Sequence, residues 1–278
     1  MPDAPHAPHA LGRYPLRNDT QREAERLGSL QSLHDASTIR GLERLGVGPG
    51  WRCAELGAGA GSIARWMAGR VGDEGSVTAV DRDTSLLRGL GRRANVTVVT
   101  GDLATMDFGS SRFDLVHSRS VLMHLDDPDA VVARVVPSLR PGGAVLFEEA
   151  DGAPALAAAS TPDPGLPIPF LRVMVPLAAR WTWARGLAAR LEALGLVEVH
   201  DDLREDVLRG ATPGAAFWRH TLETIRTLVT DTARMETIAL DGSDGSHGRA
   251  VDDMLTLLDD PEFAAPFTAR HRVSARMP

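Results

Sequence analysis

The most constraining stretch of this 278-residue chain is Cys53-Ala-Glu55-Leu-Gly57-Ala-Gly59-Ala-Gly61-Ser62. An apolar run ends in an acidic residue, three alternate glycines follow, and a helical pattern opens at Ser62. A strand that turns through glycines straight into a helix favours a next strand that returns parallel, with the helix covering one face of the sheet. The downstream texture agrees. Arg52–Leu56, Ser76–Val80, Val96–Thr100, Phe113–His117 and Ala144–Glu148 read as strands, and Ser62–Val71, Ser85–Arg93 and Ala130–Leu139 as helices between them. That alternation predicts an α/β fold with a parallel sheet covered on both faces.

On either side of this core the pattern changes. Residues 1–13 are rich in Pro, Ala and His and read as a disordered tail. Thr20-Gln21-Arg22-Glu23 is a capping box that opens a helix carrying Leu27, Leu30 and Leu33, with a stop at Gly46 after Leu45. Residues 151–169 have no period and read as a loop or lid, followed by a helical stretch Leu171–Leu194 despite Pro176. Leu196–Asp202 reads as a sixth strand and Ala269–Met277 as the last. Between them Thr212–Thr230 and Arg249–Asp259 read as helices separated by the loop 241–248.

Composition removes whole classes of chemistry. All 30 basic residues are arginine. Without lysine there is no Schiff-base or pyridoxal-phosphate anchor, no phosphate-loop lysine and no Ser-x-x-Lys site. A GC-rich genome accounts for the bias. The net charge of −7 argues against a polyanion-binding surface. Cys53 is the only cysteine, which excludes an intrachain disulfide and a thiolate zinc site. No clear Asp/His cluster suggests a metal, and no run of 18 apolar residues suggests a membrane span. The opening MPDAPHAPHALGR lacks a charged-then-apolar leader pattern, so a cytoplasmic protein is expected.

The glycine turn offers a ligand free N–H groups at a helix start and close backbone approach. A dinucleotide fold would want G-x-G-x-x-G, whereas here the spacing is G-x-G-x-G with Ser62 at the third-glycine position. Glu55, just before the turn, repels a pyrophosphate and suits a cation such as an amino acid ammonium. Val80-Asp81 ends the second strand with a carboxylate suited to ribose hydroxyls. Gly101-Asp102-Leu103 ends the third, where a carboxylate can take an adenine amino hydrogen. Arg140-Pro141-Gly142-Gly143 reads as a turn before the fifth strand.

With AELGAGAGS, TAVDRD, GDLATMDF, FDLVHSRSVLMHL and LRPGGAVLFEEAD in this order, the segment Trp51–Asp151 resembles a class I S-adenosylmethionine-dependent methyltransferase of the small-molecule type found in bacterial specialised metabolism, antibiotic biosynthesis included. The resemblance implies a Rossmann-like fold whose sheet has seven mostly parallel strands and an antiparallel last strand. It also implies an N-terminal helical lid at 14–48 and a domain at 49–278 with substrate-cap insertions at about 151–185 and 203–266. Glu55, Gly57, Ala58 and Gly59 would hold the methionyl part of S-adenosylmethionine, Asp81 the ribose, and Asp102 the adenine amino group. Arg82 and Leu103 would flank adenine, and Ser118 would offer its backbone to the methionyl end. The product would be S-adenosylhomocysteine.

Tyr14 and His124 are similar to a pair that, in phosphoethanolamine-type methyltransferases, latches the site and assists deprotonation. Tyr14 would also lie over the cofactor, with Arg17 and Gln31 beside it; a structural role for His124 is the plainer alternative. His34 is expected to pack. Glu149 would face the acceptor or cap a helix, and Phe170, Met174 and Trp181 would line the acceptor cavity or pack the lid. The expected partner is a small, apolar or aromatic acceptor, with no nucleic acid and no membrane, and with a homodimer left open. Oxygen is favoured over nitrogen or carbon as the methylated atom on frequency alone. A non-methylating reaction such as a cyclisation, or a non-catalytic cofactor-binding or scaffold module, are the rival readings.

Overall fold

The computed structural model describes residues 21–160, 180–229 and 246–278. Seven strands form one sheet in the order β3-β2-β1-β4-β5-β7-β6. They are β1 (Arg52–Leu56), β2 (Ser76–Asp81), β3 (Val96–Thr100), β4 (Phe113–Arg119), β5 (Leu139–Asp151), β6 (Val197–Arg209) and β7 (Ala264–Arg276). The first five run parallel, and β7 is antiparallel to both its neighbours. Helices α1 (Gln21–Leu45), α2 (Ser62–Val71), α3 (Pro128–Val135), α4 (Ala153–Ala159), α5 (Leu187–Ala193), α6 (Pro213–Val229) and α7 (Ser246–Asp259) complete the described structure.

The sheet is buried on both faces. On one side Cys53, Leu115 and Leu146 pack with Met67 of α2 and Leu42 of α1. On the other, Val116, Val145 and Phe147 pack with Val131 and Val135 of α3 and Leu187 and Leu191 of α5. A third cluster joins Phe267 of β7 to Leu222 of α6 and Met254 of α7, with Trp181 and Met123. Cys53 belongs to the first core: burial, reinforced by Asp114 and Glu55, pushes its thiol up to about 12, so it is inert at neutral pH.

Several expected elements differ. The helix expected at Ser85–Arg93 is two 3-10 turns, Ser85–Leu87 and Leu90–Arg92. Gly89 and Gly91 disfavour a continuous α-helix there. The stretch expected to be a loop after residue 151 contains α4, where Asp151 Oδ1 accepts the Ala153 N–H at 2.9 Å. The long helix expected at Leu171–Leu194 is, over its described part, a 3-10 turn at Thr182–Gly186 followed by α5. Residues 161–179 lie outside the described residues, as do the tail 1–13 and the start of the capping box at Thr20.

The largest difference is at the far edge, where β6 and β7 pair from Val197↔Arg276 to Arg209↔Ala264. Residues 203–209 and 264–266, expected as part of a cap, therefore extend the sheet. Solvent exposure of β6 explains why its charged sequence hides a strand: an edge strand has no need of alternating apolar residues. The hairpin-like return into the cap turns at Gly210, whose N–H bonds to the Phe263 carbonyl at 3.0 Å. A Cβ there would overlap the Asp260 carbonyl. Gly210→Ala is expected to cost about 1–3 kcal/mol through overpacking, read as a lower thermal midpoint; an unchanged midpoint would refute the tight closure.

Candidate active site

The glycine turn joins β1 to α2 at the carboxyl end of the sheet. Gly57, Gly59 and Gly61 all take left-handed φ values of 69°, 53° and 76°, a conformation that L side chains rarely adopt. Space is also closed. A Cβ at Gly57 would run into the Val121 side chain, and one at Gly61 would meet Leu87 Cδ2 at 2.7 Å. Ala58, buried beside them, donates its N–H to the Val80 carbonyl at 2.9 Å. Leu27 of α1 lies over the turn, 3.5 Å from where a Gly59 Cβ would stand.

Asp81, at the end of β2, ties this turn to the neighbouring strand. Its Oδ2 accepts the Gly59 N–H at 2.7 Å and its Oδ1 the Asp83 N–H at 3.0 Å. Burial raises its carboxyl above the usual range, against those backbone donors. At the end of β3, Asp102 accepts the Ala104 N–H at 2.9 Å and stands 3.6 Å from Arg82. Both side chains are about half exposed. Leu103 is buried, and its carbonyl takes an N–H from Arg134 at 2.8 Å.

Beneath the turn lies a buried chain of charges. His117, in the middle of the sheet, is fully buried. Its Nδ1 is 2.6 Å from Glu55 Oε2 and its Nε2 is 3.3 Å from Glu148 Oε2. Parallel register puts the first pair side by side, with Glu55 opposite His117. Glu148 Oε1 accepts Arg272 Nε at 2.7 Å, and its Oε2 accepts the Thr38 hydroxyl at 2.5 Å. Thr38 in turn accepts Arg119 Nη1 at 2.8 Å, and Arg119 Nη2 reaches Asp35 at 2.8 Å. Asp35 also takes the Ser62 hydroxyl at 3.1 Å.

Burial alone would depress His117, but the Glu55 and Glu148 carboxylates outweigh it and hold the imidazole protonated to about 9. Glu148 is held well below the usual carboxylate range. Its burial works the other way but is overcome by His117, Thr38 and Arg272. Sequence reasoning passed over His117, Glu148's partners, Thr38 and Asp35. The available signal was a polar residue near the end of each of three neighbouring strands, Glu55, His117 and Glu148, in otherwise apolar runs.

The short 3-10 turn Leu122–His124 follows β4 and is fixed by Glu149. The N–H groups of Val121 and Leu122 donate to Glu149 Oε1 at 3.3 and 3.1 Å, and that of Met123 to Oε2 at 3.2 Å. Burial raises this carboxyl to about 7 against those donors. Glu149 is fully buried, with both oxygens engaged by backbone, and so acts on the turn that carries His124. Burial, then Arg26 and Arg180, lowers His124 to about 3, so its imidazole is neutral at neutral pH.

Ser118 is buried at the end of β4, and Ser120 beyond it takes a left-handed φ of 56°. His34 is likewise neutral, lowered to about 2 by burial and Arg270, and its Nε2 lies 2.7 Å from Arg270 Nη2, a packing role. Trp181 packs in the third core, its ring 6.3 Å from that of Trp218. Tyr14, Arg17, Phe170 and Met174 lie outside the described residues. Among the described residues no group of three or more His, Cys, Asp or Glu side chains could hold a metal, and no helix is long and apolar enough to cross a membrane.

The charge chain has a measurable pH signature. His117 is raised from its ordinary value near 6.5 to about 9 in the fold. Its contribution to stability is therefore fully present below pH 6.5 and is lost as pH rises through about 9. The thermal midpoint is expected to fall across that window, and His117→Gln should flatten the fall. A slope that survives the substitution would assign the titration to another group.

Residues 54–147 match the family model of a methyltransferase domain. The ubiquinone/menaquinone biosynthesis C-methyltransferase of Shewanella halifaxensis is 30% identical over 116 residues, covering 39% of this chain and 46% of that protein. The chain thus spans about half the length of that curated relative. Haemonchus contortus phosphoethanolamine N-methyltransferase 2 shares the fold with a TM-score of 0.55 at 21% identity, over 87% of this chain and 52% of that one. The cyclase SpnF shares it with a TM-score of 0.52 at 17% identity, over 88% and 80%. Residues 54–147 thus match a methyltransferase domain, and the chain has the Rossmann-like fold of these solved structures.

Proposed function

We propose that this chain transfers a methyl group from S-adenosylmethionine to a small-molecule acceptor. The observation that carries the reading is the 2.7 Å bond from the Gly59 N–H to the Asp81 carboxylate. It joins the glycine turn and the carboxylate at the end of β2 into one preformed rim at the carboxyl end of the sheet, where open α/β folds bind their ligands. The residues present fit the cofactor. Glu55 faces the ammonium, the backbone of Gly57, Ala58, Gly59 and Ser118 the methionyl part, and Asp81 the ribose hydroxyls. Asp102 takes the adenine amino group, and Arg82 and Leu103 lie on either side of the ring. The cofactor, when bound, supplies an electrophilic methyl on a sulfonium with a good leaving group, so positioning and exclusion of water supply much of the catalysis.

His124 meets the acceptor in this reading. Its imidazole is neutral, so a ring nitrogen can accept a hydrogen bond, while a conjugate acid near 3 stores a proton poorly. It therefore orients the nucleophile, with Tyr14 closing over the site. Phe170 and Met174 supply the apolar side of the acceptor cavity, which suits an apolar or aromatic compound of specialised metabolism such as an antibiotic precursor. Oxygen acceptors are assayed first, then nitrogen and carbon, the atoms for which the named methyltransferase relatives are known. A cytoplasmic setting completes the proposal.

Calorimetry with S-adenosylhomocysteine tests the reading; no binding would overturn it. Transfer of label from the cofactor distinguishes methylation from a cyclisation on the same fold. Asp81→Ala should weaken cofactor binding by on the order of 2 kcal/mol, since a hydrogen-bonded carboxylate is lost; unchanged affinity would remove the ribose assignment. His124→Ala should lower turnover more than cofactor affinity, and the opposite ordering would make it structural.

A further inference from the structure

We infer that His117 is a positioning residue for the cofactor's amino acid end: it holds the Glu55 carboxylate oriented so that one oxygen is kept for an ammonium group. The inference rests on the proposal that the domain binds S-adenosylmethionine. His117 is not among the residues that the family resemblance brings to the site. Its part follows from where the register of β1, β4 and β5 puts it.

Glu55 is only 5% exposed. His117 presents Nδ1 to its Oε2 at 2.6 Å. That bond uses one oxygen of Glu55, and among the described residues no hydrogen bond reaches the other. The second oxygen therefore has a lone pair to offer two residues before Gly57, where the turn begins.

The imidazole is itself held from the far side. Glu148 stands at Nε2, and Glu148 is fixed by Arg272 from β7 and Thr38 from α1. Both ring nitrogens of His117 thus have carboxylate partners, which is the arrangement that keeps an imidazole doubly protonated and unable to rotate. The bonds continue from Thr38 through Arg119 and Asp35 to the Ser62 hydroxyl. They leave the sheet at Glu55, before the turn, and return at Ser62, after it, passing through α1. The same side chains that aim Glu55 also seat α1 over the glycines, so a cofactor ammonium would meet a carboxylate whose direction is set from three strands and a helix.

Two probes separate positioning from general support of the fold. S-adenosylhomocysteine carries the ammonium; 5′-methylthioadenosine has the same nucleoside and sulfur but no amino acid end. His117→Gln is expected to weaken S-adenosylhomocysteine about tenfold while leaving 5′-methylthioadenosine within about twofold, as loss of one charge-assisted hydrogen bond would do. In a Glu55→Gln background the same substitution should cost little more, because the group it positions is already neutral. Equal losses for both probes, or none for either, would overturn the inference. If His117→Gln does not fold, Glu148→Gln removes the far anchor of the ring and should show the same discrimination at smaller amplitude. Wild-type protein that binds neither probe would instead defeat the proposed cofactor, a separate outcome.

Discussion

A protonated imidazole in the middle of a β-sheet is stable only if its charge is answered on both sides. Isolated ions cost several kcal/mol each to bury, and a buried pair is tolerated when geometry and further hydrogen bonds complete it. Here the completion comes from four elements. Glu55 is on β1, Glu148 on β5, Arg272 on the antiparallel β7 and Thr38 on α1. The strand order places β4 between β1 and β5, which puts His117 between its two carboxylates. The position of the last strand and the seating of the first helix are thereby tied to the electrostatics of the central strand.

The glycine turn is a second constraint of a different kind, set by shape. Val121 and Leu87 fill the space that side chains at Gly57 and Gly61 would take, while at Gly59 the left-handed φ is the constraint. The turn is narrow because those neighbours close on it, and its N–H groups fix it in place, Ala58 to the Val80 carbonyl and Gly61 to the Ala58 carbonyl. Asp81 then links turn and second strand. Shape and charge act at the same end of the sheet, where a nucleoside with a cationic tail would need both.

The catalytic side is governed by burial. His124 and Glu149 are close in the fold and shifted in opposite directions, the imidazole down to about 3 and the carboxyl up to about 7. Both shifts favour the uncharged form, as desolvation requires. The expectation of Glu149 at the acceptor came from its place at the end of a strand. Its side chain is turned into the structure because three backbone N–H groups of the 121–123 turn need an acceptor there. Trp181, expected at the acceptor, has 7% exposure within an apolar cluster.

The local rules of this protein were legible in its sequence. Alternating apolar runs and helical stretches mark five parallel strands, and glycine spacing with Glu55, Asp81 and Asp102 marks the cofactor end, because backbone sterics and strand periodicity act over a few residues. What escaped that reading was non-local. The pairing of charged β6 with β7 has no apolar period to reveal it, since an edge strand faces water. Single bonds of the His117 chain join residues as far as 124 positions apart, as between Glu148 and Arg272. Sequence order carries the identity of those groups but not their register. Only the tertiary structure, by setting β4 between β1 and β5 and laying α1 across them, turned separate polar residues into one closed circuit around the turn.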